Sequence, residues 1–131
     1  MIYLIDDEDS VRKVFEFYLN SEGREYKSLS SAEDFLSVYK PSKDDIVILD
    51  LNMPGMSGCE LLEKLREEKI QLPVIVVTAY DEPEYRECCK RCGAIAYLLK
   101  PVHGKVLMEL INYNLDNKST LTKSKNYVSI Y

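Results

Sequence analysis

The sequence predicts an α/β domain, a five-stranded parallel sheet with helices on both faces. Three observations carry that prediction. Five apolar or β-rich runs alternate with five amphipathic helical patterns, the pattern of βα units stacked on a parallel sheet. The first, third and fourth runs are continuously apolar, as strands covered on both faces are, whereas the second is polar and suits a sheet edge. The chain has 131 residues, the length of one domain with one proper core.

Each element has its own local reason. Ile2–Ile5 is the first strand. The first helix begins near Asp9 or Ser10, either of which can cap it. Its apolar face is Val11, Val14, Phe15, Tyr18 and Leu19, and Gly23 follows its end. Glu25–Leu29 is the polar second strand. Ser31 caps a second helix with Ala32, Phe35, Leu36 and Tyr39 on one face, and Pro41 lies beyond it. Ile46–Leu49 is the third strand and runs into Asp50. Ser57 and Glu60 form a capping box for the third helix, whose inner face is Leu61, Leu62 and Leu65. Val74–Val77 is the fourth strand, ended by Thr78. Pro83 suits the first turn of the fourth helix. Ile95–Leu99 is the fifth strand, and the fifth helix carries Val106, Leu107, Leu110 and Ile111. Residues 1–116 form the domain, and 117–131 read as a polar C-terminal tail without fixed structure.

Composition narrows the function. The net charge is −5, and because 117–131 carries three lysines and no acid, the other residues carry −8. So acidic a domain is a poor partner for nucleic acid, whose phosphates need Lys and Arg, but it can concentrate cations. No apolar run reaches the length of a membrane span, and the N-terminus reads as a strand and not a secretory signal, so the expectation is a cytoplasmic protein without membrane contact. Cys59, Cys88, Cys89 and Cys92 include a formal C-x-x-C. A zinc site would need further ligands, and a redox pair would be expected at a helix start. Cys88, Cys89 and Cys92 instead follow Tyr85 at helical spacing, which reads as core.

The strand order that fits these polarities is 2-1-3-4-5, the order of the doubly wound, three-layer (βα)5 sandwich called flavodoxin-like. The polarities agree with that known fold class but do not by themselves fix the place of every strand. Ligands of such sheets bind beyond the carboxyl ends of the strands, where the order reverses. Here Asp6-Asp7-Glu8 follows strand one, Asp50 strand three, Thr78-Ala79 ends strand four, and Lys100-Pro101 follows strand five. Clustered carboxylates call for a compensating charge. A divalent cation held by Asp6, Asp7 and one Asp50 oxygen supplies it, and Mg²⁺ (or Mn²⁺) suits oxygen ligands of this kind. The other Asp50 oxygen can act as a nucleophile on phosphorus, with Lys100 and Thr78 binding phosphoryl oxygens.

These residues resemble the receiver domain of bacterial two-component response regulators. The likeness rests on Leu4-Ile5-Asp6-Asp7-Glu8, on Val47 to Gly58, on Val77-Thr78-Ala79, on Gly93-Ala94 and on Leu99-Lys100-Pro101. It implies that Asp50 is the phosphoacceptor in a two-component system or phosphorelay. It implies Mg²⁺ bound by Asp6, Asp7, Asp50 and the Asn52 backbone carbonyl, and a phosphoryl group met by Thr78, Ala79 and Lys100. Tyr97 matches the switch aromatic, expected to swing inward as Thr78 moves, and the Lys100–Pro101 bond is expected to be cis. The implied partners are a sensor histidine kinase or phosphotransfer protein, and a second copy through the face of the fourth helix, fifth strand and fifth helix. The domain would be a switch and not a turnover enzyme.

Tyr80 and Asn52 flank the path that the resemblance implies for hydrolytic water, so bulky Tyr80 is expected to prolong the phosphorylated state. His103 is expected to be exposed at the start of the fifth helix, without a phosphotransfer role. Three other readings meet obstacles. A phosphorylation-independent interaction module would not need the acidic pair, Asp50, Thr78 and Lys100 together. An aspartyl-phosphate phosphatase would want a second Asp where Asn52 stands. A flavin-binding domain would want a phosphate loop where Asp6-Asp7-Glu8 would repel phosphate.

Overall fold

A computed structural model describes residues 1–116; the tail expected for 117–131 lies outside the described residues. The elements run β1 (Ile2–Ile5), α1 (Asp9–Ser21), β2 (Tyr26–Leu29), α2 (Ala32–Val38), β3 (Ile46–Leu49), α3 (Gly58–Glu67), β4 (Val74–Thr78), α4 (Pro83–Arg91), β5 (Ala96–Leu99) and α5 (Gly104–Asp116). All strands are parallel, in the order β2-β1-β3-β4-β5. The flavodoxin-like architecture expected from the sequence is therefore the one observed. β2 and β5 each begin one residue later than expected.

Strand side chains alternate between two cores. Tyr3, Ile5, Val47, Leu49, Val74, Val76 and Tyr97 face α2, α3 and α4. Ile2, Leu4, Ile46, Ile48, Ile75, Val77 and Ala96 face α1 and α5. Both faces are dry, so the central strands have no polar alternation.

Two helix starts carry the caps expected of them, and α4 has Pro83 in its first turn as expected. The Ser31 hydroxyl accepts the Asp34 N–H at 3.0 Å. Ser57 and Glu60 exchange both capping-box hydrogen bonds. α1 departs from expectation: Glu8 is its N-cap and no side chain caps it. Asp9 and Ser10 lie inside the helix, and Asp9 is drawn instead to Arg12. Two side chains expected on inner helix faces point outward, Val14 at 51% exposure and Val106 at 46%.

The cysteines are free. Cys88 and Cys89 are buried in the core beneath α4, and the Cys88 thiol donates to the Cys59 carbonyl at 3.9 Å. Burial pushes the Cys89 thiol up to about 12, so these groups pack as hydrophobes.

Candidate functional site at the carboxyl ends of the strands

Four strand ends converge where β1 and β3 lie side by side and their connections leave to opposite faces. β1 delivers Asp6, which is 2% exposed, followed by exposed Asp7 and Glu8. Carboxylate oxygens of these three lie within 4.8 Å of one another. The turn is held from two sides. The Glu8 N–H donates to Asp6 Oδ1 at 2.9 Å, and Arg12 of α1 donates to the Asp6 carbonyl.

β3 delivers Asp50, 4% exposed. Its N–H joins the sheet through the Ile5 carbonyl at 3.0 Å, and its Oδ1 accepts the Asn52 N–H at 3.3 Å. Burial, and then the neighbouring Asp6 charge, push the Asp50 carboxyl up to about 6, although Lys100 and the Asn52 N–H pull the other way. β5 delivers Lys100. Its Nζ lies 2.9 Å from Asp6, 3.5 Å from Glu8 and 3.7 Å from Asp50. Burial disfavours its charge, but the Asp6 hydrogen bond and the Asp50, Asp6 and Glu8 charges outweigh burial and hold it above the ordinary lysine value. The Lys100–Pro101 bond is cis.

β4 ends in Thr78, which is fully buried, and exposed Ala79 follows. Thr78 Oγ1 accepts the Tyr80 N–H at 3.3 Å. The carbonyl of the same Tyr80 accepts the Tyr97 hydroxyl at 2.7 Å. Tyr97 is already inside, 3% exposed, with the Arg86 guanidinium 4.6 Å above its ring. Arg86 in turn donates to Asp81 at 2.5 Å. His103 is exposed just before α5, as expected.

Asp6, Asp50, Thr78 and Lys100, read from separate segments, thus meet at one end of one sheet. The close acid triplet is Asp6, Asp7 and Glu8, while Asp50 stands beside it with Lys100. Glu8 had no role in the ligand set expected from sequence, yet it touches Lys100. Arg12 and Arg86 were not foreseen either, because their contacts at the site reach another element, Arg12 the Asp6 carbonyl at the end of β1 and Arg86 the ring of Tyr97 on β5. Four carboxylates face one ammonium here, and all of the acid donors are oxygens. Such a donor set fits a hard divalent cation such as Mg²⁺.

Comparison with known proteins gives a consistent result. The family described as response regulator receiver domain matches residues 2–112. The transcriptional regulatory protein FixJ of Rhizobium meliloti is 36% identical over 110 residues, which are 84% of this chain and 54% of FixJ. The alkaline phosphatase synthesis transcriptional regulatory protein PhoP of Bacillus subtilis is 30% identical over 76% of this chain and 42% of its own length. The chain therefore spans about half the length, or less, of these curated relatives. Among solved structures, a receiver domain protein of Methanospirillum hungatei superposes with a TM-score of 0.81 at 29% identity, over 91% of this chain and 95% of its own. The crystal structure of FixJ-N superposes with a TM-score of 0.77 at 34% identity, over 88% of this chain and 92% of its own. On its sequence, its strand order and its converging acids and lysine, the chain belongs to the response regulator receiver domain family.

Proposed function

We propose that this domain is a phosphorylation switch in which Asp50 accepts a phosphoryl group from the phosphohistidine of a sensor histidine kinase or phosphotransfer protein. The observation that carries this reading is a buried Asp50 carboxylate flanked by Lys100 at 3.7 Å and by the Asp6-Asp7-Glu8 triplet. Asp6, Asp7, Asp50 and the Asn52 carbonyl would hold Mg²⁺, which when bound neutralises charge on the phosphoryl oxygens. One Asp50 oxygen attacks phosphorus as the bond to the donor imidazole nitrogen breaks, and the electron pair leaves with that nitrogen. Lys100 exchanges its contact with Asp6 for one with a phosphoryl oxygen. Thr78 Oγ1 accepts from Tyr80, which leaves its own O–H to donate to a second oxygen, and the Ala79 N–H can serve a third.

The signal would travel through Tyr80. Its N–H is bound by Thr78 and its carbonyl by Tyr97. A Thr78 drawn to the phosphoryl group therefore acts on the peptide that anchors Tyr97. Because the ring is already inside, phosphorylation is read here as a shift in population toward this packing and not as the first entry of the ring. The affected face is α4, β5 and α5, where exposed Leu99 supports a homodimer or effector contact. The phosphodonor would approach elsewhere. Val11, Val14, Pro101 and Val102 form an apolar groove beside Lys100, suited to a helical partner that brings its histidine to Asp50. No described helix is long and apolar enough to cross a membrane.

The test is incubation with Mg²⁺ and a small acyl phosphate or phosphoramidate, followed by intact-mass measurement. One phosphoryl adduct is expected, absent without the metal and absent in Asp50→Asn. An adduct that survives in Asp50→Asn overturns the reading.

A further inference from the structure

The loop between β3 and α3 carries Asn52 and follows directly on Asp50. Its two ends are tied locally. The Asn52 N–H binds the Asp50 carboxylate, and the Gly58 N–H binds the Leu51 carbonyl at 3.0 Å. Its apex is tied from another element altogether. Glu33, in the first turn of α2, accepts the Met56 N–H on Oε2 at 2.9 Å. Gly55, next to it, has φ +77, and a Cβ there would stand 2.6 Å from the same Glu33 oxygen. The carboxylate therefore lies against the glycine of this turn, in space that a side chain at position 55 would contest. The Met56 hydrogen bond is the main reason that the Glu33 carboxyl lies below its ordinary value. Leu51 and Met53, in the same loop, are buried in the core below, and the Met56 side chain packs against it, so the Glu33 clasp adds a polar tie to a loop that apolar anchors already seat.

We infer that Glu33 is a positioning residue for the cation pocket, holding the β3–α3 loop in the conformation from which Asn52 meets the metal beside Asp50. The inference rests on the reading of the pocket proposed above. Glu33 touches neither the acids nor the phosphoryl path. It acts through the Met56 and Gly55 backbone, which lies in the same loop as Asn52 but one step further from the metal than a direct partner of a ligand would.

The test is calorimetric titration of the full chain with Mg²⁺, for wild type, Glu33→Ala, Glu33→Gln and Asp6→Asn. Glu33→Ala is expected to weaken Mg²⁺ binding about three- to tenfold, at or below the bottom of the range for direct partners of metal ligands. Glu33→Gln keeps an acceptor for the Met56 N–H and should stay within about twofold of wild type. Amide exchange supplies a second readout. In Glu33→Ala the Asn52 and Met56 amides should exchange faster, while the β1 and β3 amides do not change. An unchanged affinity in Glu33→Ala overturns the inference. So does equal weakening in Glu33→Gln, because the effect would then belong to charge and not to the clasp. Wild type that binds no Mg²⁺, or binds it equally well in Asp6→Asn, overturns the reading of the pocket itself and the inference with it.

Discussion

Lys100 is bound to Asp6, with Nζ to Oδ2 at 2.9 Å, more closely than to Asp50 at 3.7 Å. The lysine thus rests on a residue proposed to hold metal, and the two cations compete for one carboxylate. Lys100→Met removes the competitor. It should tighten Mg²⁺ binding about three- to tenfold at low salt, a Coulomb effect that shrinks as salt is added. The same variant should lose about 10²-fold in phosphorylation rate with a small-molecule donor, since a phosphoryl oxygen loses its partner. Calorimetry and phosphorylation kinetics separate the two effects, and unchanged Mg²⁺ affinity would refute the competition.

Asp50 makes stability depend on pH in a defined direction. Its carboxyl is raised to about 6 by burial and by Asp6, against about 4 in an unfolded chain. The folded state therefore keeps this proton at pH values where the unfolded state has released it. The resulting penalty is absent below about pH 4, grows between 4 and 6, and is complete above 6. Asp50→Asn carries no charge, so in metal-free buffer it should raise stability by about 1–3 kcal/mol at pH 8 and leave it unchanged at pH 4. Denaturant midpoints at the two pH values give the answer. A gain of equal size at both would mean that charge is not its cause.

Gly58→Ala sets helix propensity against packing. Gly58 opens α3, where Ala would ordinarily gain up to about 1 kcal/mol. A Cβ at Gly58 would stand 2.6 Å from the Asp50 carbonyl oxygen and 2.6 Å from the Leu51 Cα, both of them backbone atoms. Backbone cannot move aside as a side chain can, so the substitution should cost about 1–3 kcal/mol net. Thermal unfolding reads the sign. The variant should also be phosphorylated more slowly, because the strained atoms belong to Asp50 and its neighbour.

Tyr80 is 46% exposed beside the path proposed for hydrolytic water. Tyr80→Ala should shorten the lifetime of phosphorylated Asp50 about tenfold, equivalent to ~1.4 kcal/mol in barrier. The backbone links from Tyr80 to Thr78 and Tyr97 do not depend on its ring. Phosphate release after removal of the donor measures the lifetime, and equal half-lives in the two proteins would remove Tyr80 from this role.

Val14 separates donor docking from chemistry. It is half exposed in the groove beside Lys100. Val14→Asp should slow transfer from a phosphorylated protein donor about tenfold, as a charge at an apolar contact does. The rate with a small acyl phosphate should stay within about twofold. Equal slowing with both donors would place the defect at Asp50 and not at docking.

Much of this molecule was determined by sequence alone. Continuous apolar runs marked the central strands and period-3.6 patterns marked the helices, because burial on both faces leaves Ile46–Leu49 or Val74–Thr78 no polar alternative. Ser31, Ser57 and Glu60 announced two helix starts through hydrogen bonds three residues long, which are local by nature. Asp6, Asp50, Thr78 and Lys100 were legible because a parallel sheet gathers the residues that end its strands. The start of α1 was not legible. Asp9 has the chemistry of a cap, but the helix starts one residue earlier than a cap there allows, with Glu8 as N-cap, and the Asp9 carboxylate meets Arg12 one turn on. Val14 and Val106 fit the apolar periodicity yet face outward, since periodicity gives a stripe and only packing fixes how much of it is covered. Tertiary structure alone decided the contacts between side chains and distant elements. Lys100 sits nearer to Asp6 than to Asp50, Arg86 lies over Tyr97, and Glu33 reaches the loop beyond Asp50. The physical reason is common to all three. Distances between elements depend on how the whole sheet is wound, and the charge balance of a buried pocket depends on those distances.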